Sequence, residues 1–468
     1  MRVEEDSFGK VNVPSDAYYG AFTQRAMKNF PISGVVFQKE LISSYAIIKR
    51  SAAIANTKLG SLDPKISKAI VQASDEVLKG KYLDQFPVDV FQAGAGTSTN
   101  MNVNEVIANR ALEILGHKRG HYKLINPNDH VNMSQSTNDT FQSAVHMAAY
   151  LMIESKLMPA LDRYQKMIEK KSKEFSKDIK SGRTHLMDAV PITLGQEFSG
   201  YSIEQERKEI KETGDDLLAL NIGGTAVGTG LNTYPKFKNL FFKELDRKTG
   251  YHFRPVKNNF AMTQNLTTIA ETSSKLKDLS LKLIKVSNDI RLMSSGPYTG
   301  LDEISIPEVQ PGSSIMPGKV NPSIPEMLTM VCFRVIGNDI SITMAAQGGQ
   351  FELNVFGPLA AYCILESIDI LASGIEIFTA RCLSGIRPNK TVLNYFFEHS
   401  SATATALSPI LGYATTAKLV KESIKRHISI RNLVLEKKLM SKKELDSALS
   451  SSKLTKPDLP LKKSSKKR

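Results

Sequence analysis

The chain has 468 residues, 41% of them hydrophobic, and a formal net charge of +14. This length is too great for one simple core and predicts two or three domains, while the composition is that of a globular protein with no apolar run near the ~18 residues of a membrane span. Cys332, Cys363 and Cys382 are scattered, and the eight histidines form no ligand cluster, which excludes a disulfide framework and a metal-binding motif and points to free thiols in a reducing, cytoplasmic compartment.

The opening Met1-Arg2-Val3-Glu4-Glu5-Asp6 has no apolar stretch behind its basic residue, so no secretory leader is expected. Residues 1–135 mix short helical patterns with turns at Pro14, Pro31, Gly34, Gly94, Gly96, Pro127 and Asn128. Long helices with apolar faces are expected over 141–171 and 194–219. Gly223-Gly224-Thr225-Ala226-Val227-Gly228-Thr229-Gly230 superficially resembles a dinucleotide fingerprint, but it lacks the preceding strand and the acidic residue after it, and reads as a tight turn. Across 266–295, Ile269, Leu276, Leu279, Leu283, Val286, Ile290 and Met293 recur at steps of seven, three, four, three, four and three. That is one apolar seam on a long helix, stopped by Gly296-Pro297. Further long helices are expected over 324–346 and 359–383. Strand-like alternation is rare, so the expected fold is mainly α, built on a long antiparallel helical bundle. Ser441-Lys442-Lys443-Glu444 reads as a capping box. The basic tail, Lys462 to Arg468, reads as a solvated terminus and not as a nucleic-acid arm, since no helix-turn-helix or basic–aromatic stripe accompanies it. The remaining positive surplus draws small dianions by its field.

Chemistry concentrates in Gly312-Ser313-Ser314-Ile315-Met316-Pro317-Gly318-Lys319-Val320-Asn321-Pro322. Glycines let backbone amides approach a ligand. Ser313 offers a removable proton, Lys319 a point charge and Asn321 directed N–H donors. Such parts suit a reaction that builds negative charge on a carboxylate. Proton removal beside a carboxylate gives a doubly charged aci-carboxylate, which needs donors and cations already in place. A second proton-transfer group must then assist the leaving group.

The 312–322 loop resembles the signature loop of the fumarase/aspartase superfamily. The likeness extends, in the family's order, through Glu4–Gly9, Val13-Pro14, Tyr18–Ala21, Gly94–Asn102, Asn132–Asp139 and Phe351–Phe356. It implies a lyase acting on a small dicarboxylate without metal or organic cofactor. The implied architecture is a homotetramer with a core of packed helices and active sites shared by three subunits. The domains would be 1–135, a central long-helix domain 136–385, a small C-terminal helical domain 386–461 and the tail 462–468. Neither nucleic acid nor membrane is an expected partner. Ser313 would be the base on a mobile loop. Thr184 and His185, in Gly182-Arg183-Thr184-His185, would bind substrate and move a second proton, with Glu326 as the imidazole's carboxylate partner. Thr97, Ser136, Thr137, Asn138, Lys319 and Asn321 would hold the carboxylates. Asn126, Asn128 and Asp129 correspond to a secondary anion site, with Asn126 standing where fumarases usually carry histidine.

Some segments are fumarase-like: Ile222–Ala226, Glu303–Glu308, Ser199-Gly200-Tyr201 and Phe351–Phe356. Others resemble aspartate ammonia-lyases: Gly94–Thr99, with Ala95 where fumarases generally have serine, and Ser136-Thr137-Asn138. The expectation is fumarate hydration to malate, with deamination of aspartate as the alternative and a non-catalytic structural role on the same scaffold as a distant one.

Overall fold

The structure, a computed structural model, describes residues 1–457, so the basic tail and the last residues of the expected C-terminal domain lie outside the described residues. In chain order, β1 (Arg2–Asp6) and β2 (Gly9–Val13) form a hairpin, followed by α1 (Ala21–Asn29), α2 (Lys39–Lys58), α3 (Pro64–Leu78), α4 (Thr97–Ile114), α5 (Thr137–Met152) and α6 (Met158–Glu174). A second antiparallel hairpin, β3 (Ile179–Thr184) and β4 (Met187–Thr193), precedes α7 (Leu194–Ser199) and α8 (Glu204–Asp216). Next come β5 (Ala219–Leu220), α9 (Phe237–Thr249), β6 (Arg254–Pro255), α10 (Asn259–Gln264) and α11 (Thr267–Met293). The chain closes with β7 (Ile304–Ser305), α12 (Ser323–Gln347), α13 (Gly357–Arg381), β8 (Arg387–Pro388), α14 (Lys390–His399), α15 (Ser408–Leu411), α16 (Tyr413–Arg426), α17 (Ile430–Glu436), α18 (Lys442–Ala448) and α19 (Ser451–Leu454). The expected helical fold is what forms. Among the described residues, sheet is confined to four two-stranded pairs.

The chain divides into two compact units. The first comprises residues 1–160, 205–281 and 330–373, and the second 161–204, 282–329 and 374 onward. In the first, α2 packs against α3, α5 and α9, and α3 against α4. In the second, the β3–β4 hairpin packs on α14, and Leu407, Leu419, Ile430, Leu433, Val434 and Leu445 close a C-terminal core.

Local chemistry sets the helix ends. Asp63 accepts the amides of Lys65 and Ile66 ahead of α3, with Pro64 in its first turn. Ser136 and Asp139 form a capping box on α5, Thr193 and Gln196 one on α7, and Ser441 and Glu444 the expected one on α18. The seven apolar residues of the α11 seam are all buried, each contributing roughly 1.5–3 kcal/mol relative to exposure.

Three expectations need revision. The 194–219 segment is two helices, because the chain breaks at Gly200–Ile203. There the Tyr201 hydroxyl reaches Asp289 at 3.0 Å, while Ser202 Oγ and the Ile203 amide both donate to Gln165 Oε1. The 141–171 helix begins earlier, at the Ser136 cap, and passes through a widened turn at Ile153–Leu157 into α6. Residues 1–135 hold long helices, α2 being 20 residues and α4 18, since alanine and small polar residues pack there where bulkier apolar ones would advertise a helix.

α12 has the length and hydropathy of a membrane-crossing helix. Arg334, Asn338 and Asp339 interrupt it, and Asp339 accepts from Ser273 Oγ at 2.8 Å and Lys277 Nζ at 2.7 Å. One face of it buries Leu328, Cys332, Val335 and Ile342, while another leaves Met330, Phe333, Ile340 and Met344 64%, 59%, 61% and 57% exposed.

Candidate active site

The first unit brings together the N-termini of α4 and α5. Gly94-Ala95-Gly96 makes a tight turn before Thr97, with Ala95 at φ 60° and Gly96 at φ 80°. A side chain at Gly96 would lie 1.9 Å from the Phe141 ring, so only glycine lets α4 begin here against α5. Gln92 Oε1 accepts both the amide and the hydroxyl of Thr99, holding the first turn of α4. Asn100 Nδ2 then donates to Thr137 Oγ1 at 3.0 Å. This joins the helix that begins at Thr97 to the one that begins at Thr137.

Asp139 organises the rest of this cluster. It is fully buried; its Oδ1 accepts the Ser136 amide at 2.9 Å, and its Oδ2 accepts the amides of Gly223 and Thr225 at 3.0 and 2.9 Å. Burial pushes its pKa up to about 6, opposed by those amides and by Lys49. Asn138 Nδ2 donates to Ala226 O at 2.7 Å, and Ser136 Oγ accepts the Asn138 amide. The glycine-rich 223–230 segment is therefore a turn clamped onto the start of α5, as its sequence suggested. Ser136, Thr137 and Asn138 sit at a helix N-terminus, whose positive dipole end favours an anion.

Asn126, Asn128 and Asp129 also belong to the first unit. The Asn126 side chain is spent on its own backbone, with Oδ1 accepting the amides of Asn128 and Asp129 at 2.8 and 3.2 Å. His130 Nδ1 accepts the Asn126 amide at 2.9 Å, so an imidazole stands four residues from the position where one was missing. Asn128 and Asp129 are exposed.

The second unit carries the remaining candidates. Thr184 pairs with Met187 across the β3–β4 hairpin, and the two tip residues, His185 and Leu186, both adopt left-handed conformations at φ 55° and 61°. Two such residues make the mirror-image turn that matches strand twist, normally filled by Asn-Gly. A bulky leucine there is an unusual use of backbone strain. His185 is thus held out into solvent at the hairpin tip. The base of β3 is anchored by buried charge. Glu303 Oε1 takes Arg183 Nη1 and Oε2 faces Lys180 Nζ, each at 2.7 Å, and Lys180 also pairs with Glu197. Glu303 leads into β7, which pairs with β8.

The 312–321 loop folds on itself. The Gly312 amide donates to Lys319 O at 2.8 Å, and Asn321 Nδ2 donates to Gly312 O at 2.7 Å. Ser313 Oγ accepts two backbone amides, from Ile315 at 3.2 Å and Met316 at 3.0 Å. Lys319 is exposed on this loop. Glu326 lies in the first turn of α12 and pairs with Arg291 at 3.8 Å; within one chain no hydrogen bond joins it to His185.

Sequence reasoning passed over Asp139, which bonds to Ser136, and Lys49, Gln92 and Glu303, which bond to neighbours of the candidate residues. Two had a legible signal. Asp139 completes a capping box with Ser136, and Lys49 interrupts an apolar stripe, Ile42, Tyr45, Ala52, at helical spacing.

Comparison with known proteins gives the chain a family. A family model described as lyase matches residues 9–337, and one described as fumarase C C-terminus matches 404–456. An aspartate ammonia-lyase of Bacillus subtilis is 46% identical over 460 residues, 98% of this chain and 97% of that protein. A class II fumarate hydratase of Helicobacter pylori is 46% identical over 459 residues, 98% of this chain and 99% of its own. The crystal structure of a class II fumarase from Schistosoma mansoni superposes with a TM-score of 0.91 at 38% identity, covering 96% of this chain and 98% of that one. Relatives that eliminate ammonia and relatives that eliminate water thus stand equally near, and the chain belongs with both as a lyase of the fumarase/aspartase superfamily.

Proposed function

We propose that the protein is a class II fumarate hydratase, interconverting fumarate and malate through an aci-carboxylate intermediate. The observation that carries the reading is Ser313 Oγ accepting two backbone amides. Those donors stabilise an alkoxide, the form in which a serine removes a proton from carbon. Lys319 and Asn321 stand beside it in sequence to receive the charge that develops on the carboxylate. Thr97 and Ser136–Asn138 supply neutral donors for the substrate's carboxylates, and Thr184 and His185, partnered by Glu326, serve the leaving group. Water as that group is favoured by Ile222–Ala226, the fumarase-like turn, which is bonded directly to Asn138 and Asp139.

The second reading, aspartate ammonia-lyase, is favoured by Ala95 and by Thr137 in the same cluster. Offering the purified protein malate and aspartate separately and following fumarate absorbance decides between them. Fumarate from malate alone supports hydration; fumarate from aspartate alone replaces it with deamination. The proposal includes no metal or organic cofactor, and unchanged turnover after exhaustive chelation is the check.

The active assembly in this reading is a homotetramer whose sites draw on three subunits. It is supported by the exposed Met330–Met344 stripe of α12, an apolar face of the kind that marks association. The buried, unpaired cysteines suit a reducing, cytoplasmic setting.

A further inference from the structure

One buried charge in the first unit is not used by the chemistry above. Lys49, on α2, is fully buried between Tyr45 and Ala52. Its ammonium donates to Asn100 Oδ1 at 2.8 Å, Asn132 Oδ1 at 2.8 Å and Gln135 Oε1 at 3.1 Å. All three acceptors are neutral amides. A buried ammonium is normally paired with a carboxylate, because desolvating an isolated charge is costly. Burial draws this one's pKa down to about 7, with the Asp139 charge opposing. Asp139 makes its own bonds elsewhere, to the Ser136, Gly223 and Thr225 amides.

The three acceptors have a common destination. Asn132 and Gln135 belong to the turn that enters α5, and Asn100 passes the contact on to Thr137 Oγ1. Asn132 Nδ2 also reaches Gln135 O, and Gln135 Nε2 reaches the carbonyls of Val131 and Met133. The lysine is therefore one side chain behind Ser136–Asn138, at the hub of the turn that sets them.

We propose that Lys49 is a positioning residue for the carboxylate-binding start of α5, fixing the 132–137 turn and, in its ammonium form, placing positive charge behind it for a dianionic substrate. This rests on the reading that Ser136–Asn138 bind a substrate carboxylate. A cation whose ligands are all neutral keeps its field, whereas one paired with a carboxylate would cancel it. The substrate's own charge then completes the electrostatics, raising affinity for a dianion over a neutral ligand.

The test adds a charge while keeping the acceptor that Lys49 uses. Asn132→Asp keeps an acceptor oxygen for Lys49 and gives up one long bond, the 3.3 Å contact to Gln135 O. Calorimetric titration of the assembled variant with succinate, a dianion that does not react, should show Kd raised about tenfold. KM for the substrate should rise in parallel at nearly constant kcat. Lys49→Met, which removes the charge, should weaken succinate at least as much wherever it assembles. A purely structural lysine would leave Kd unchanged in Asn132→Asp. Asn138→Ala serves as the control for the underlying reading. If it weakens succinate while Asn132→Asp binds as the parent does, the role of Lys49 is overturned and the carboxylate site stands. If Asn138→Ala leaves Kd unchanged, the carboxylate site itself is lost and Lys49 with it.

Discussion

Ser313 Oγ accepts two backbone amides, and its proposed part as the base makes it the residue with the sharpest expected phenotype. Ser313→Ala should reduce turnover by at least about a thousandfold while leaving the assembly intact by light scattering. Near-normal turnover in that variant would remove the serine from the mechanism. His185→Asn should cost on the order of a hundredfold, the scale of lost acid–base help. A different histidine governs stability. His146 is fully buried and bonded through Nδ1 to Ala219 O at 3.1 Å; burial lowers its pKa from 6.5 to about 4. The folded state thus favours the neutral ring. Its contribution is complete above about pH 6.5 and is lost as pH falls toward 4, by up to about 3 kcal/mol. His146→Asn should flatten the pH dependence of the melting temperature over that interval, and an unaltered slope would refute the assignment.

At the scale of elements, the hairpin bearing His185 depends on Glu303. Glu303→Gln leaves the buried Lys180 and the partly buried Arg183 with one carboxylate fewer and should destabilise the second unit by on the order of 3 kcal/mol. Amide exchange should rise across 179–184 and stay unchanged across 64–78; uniform exchange would show the ion cluster to be incidental. The long helices were legible because their apolar period is strong: the α11 seam of Ile269 to Met293 is the buried one. The break at Gly200–Ile203 was not, since it depends on where Tyr201 meets Asp289, a partner far along the chain. The same distinction holds at the candidate site. Ser313, His185 and Asn138 stand in dense, peculiar motifs, whereas Lys49 and Glu303 act through long-range contacts. Lys49 stood out only as a break in the apolar stripe of α2, and Glu303 looked ordinary until its neighbours were known. The pairing of Glu326 with Arg291 in one chain was equally invisible, because it joins the start of α12 to the last turn of α11.

For the whole molecule, the proposed tetramer puts the exposed face of α12 between copies. In that assembly Phe333→Glu should give smaller species by sedimentation and abolish turnover with it, as one carboxylate buried without a partner costs several kcal/mol. A tetramer that persists would assign that face elsewhere. The proposed sharing of sites makes a second expectation: co-refolding the impaired Ser313→Ala and His185→Asn chains should yield hybrids with activity above either parent, whereas no recovery would place each site in a single subunit. The Met330–Met344 stripe also has a consequence for how the protein lives. If its oily side is quenched only by sister copies, dilution becomes a form of denaturation, and a newly made chain remains at risk until enough companions have been synthesised.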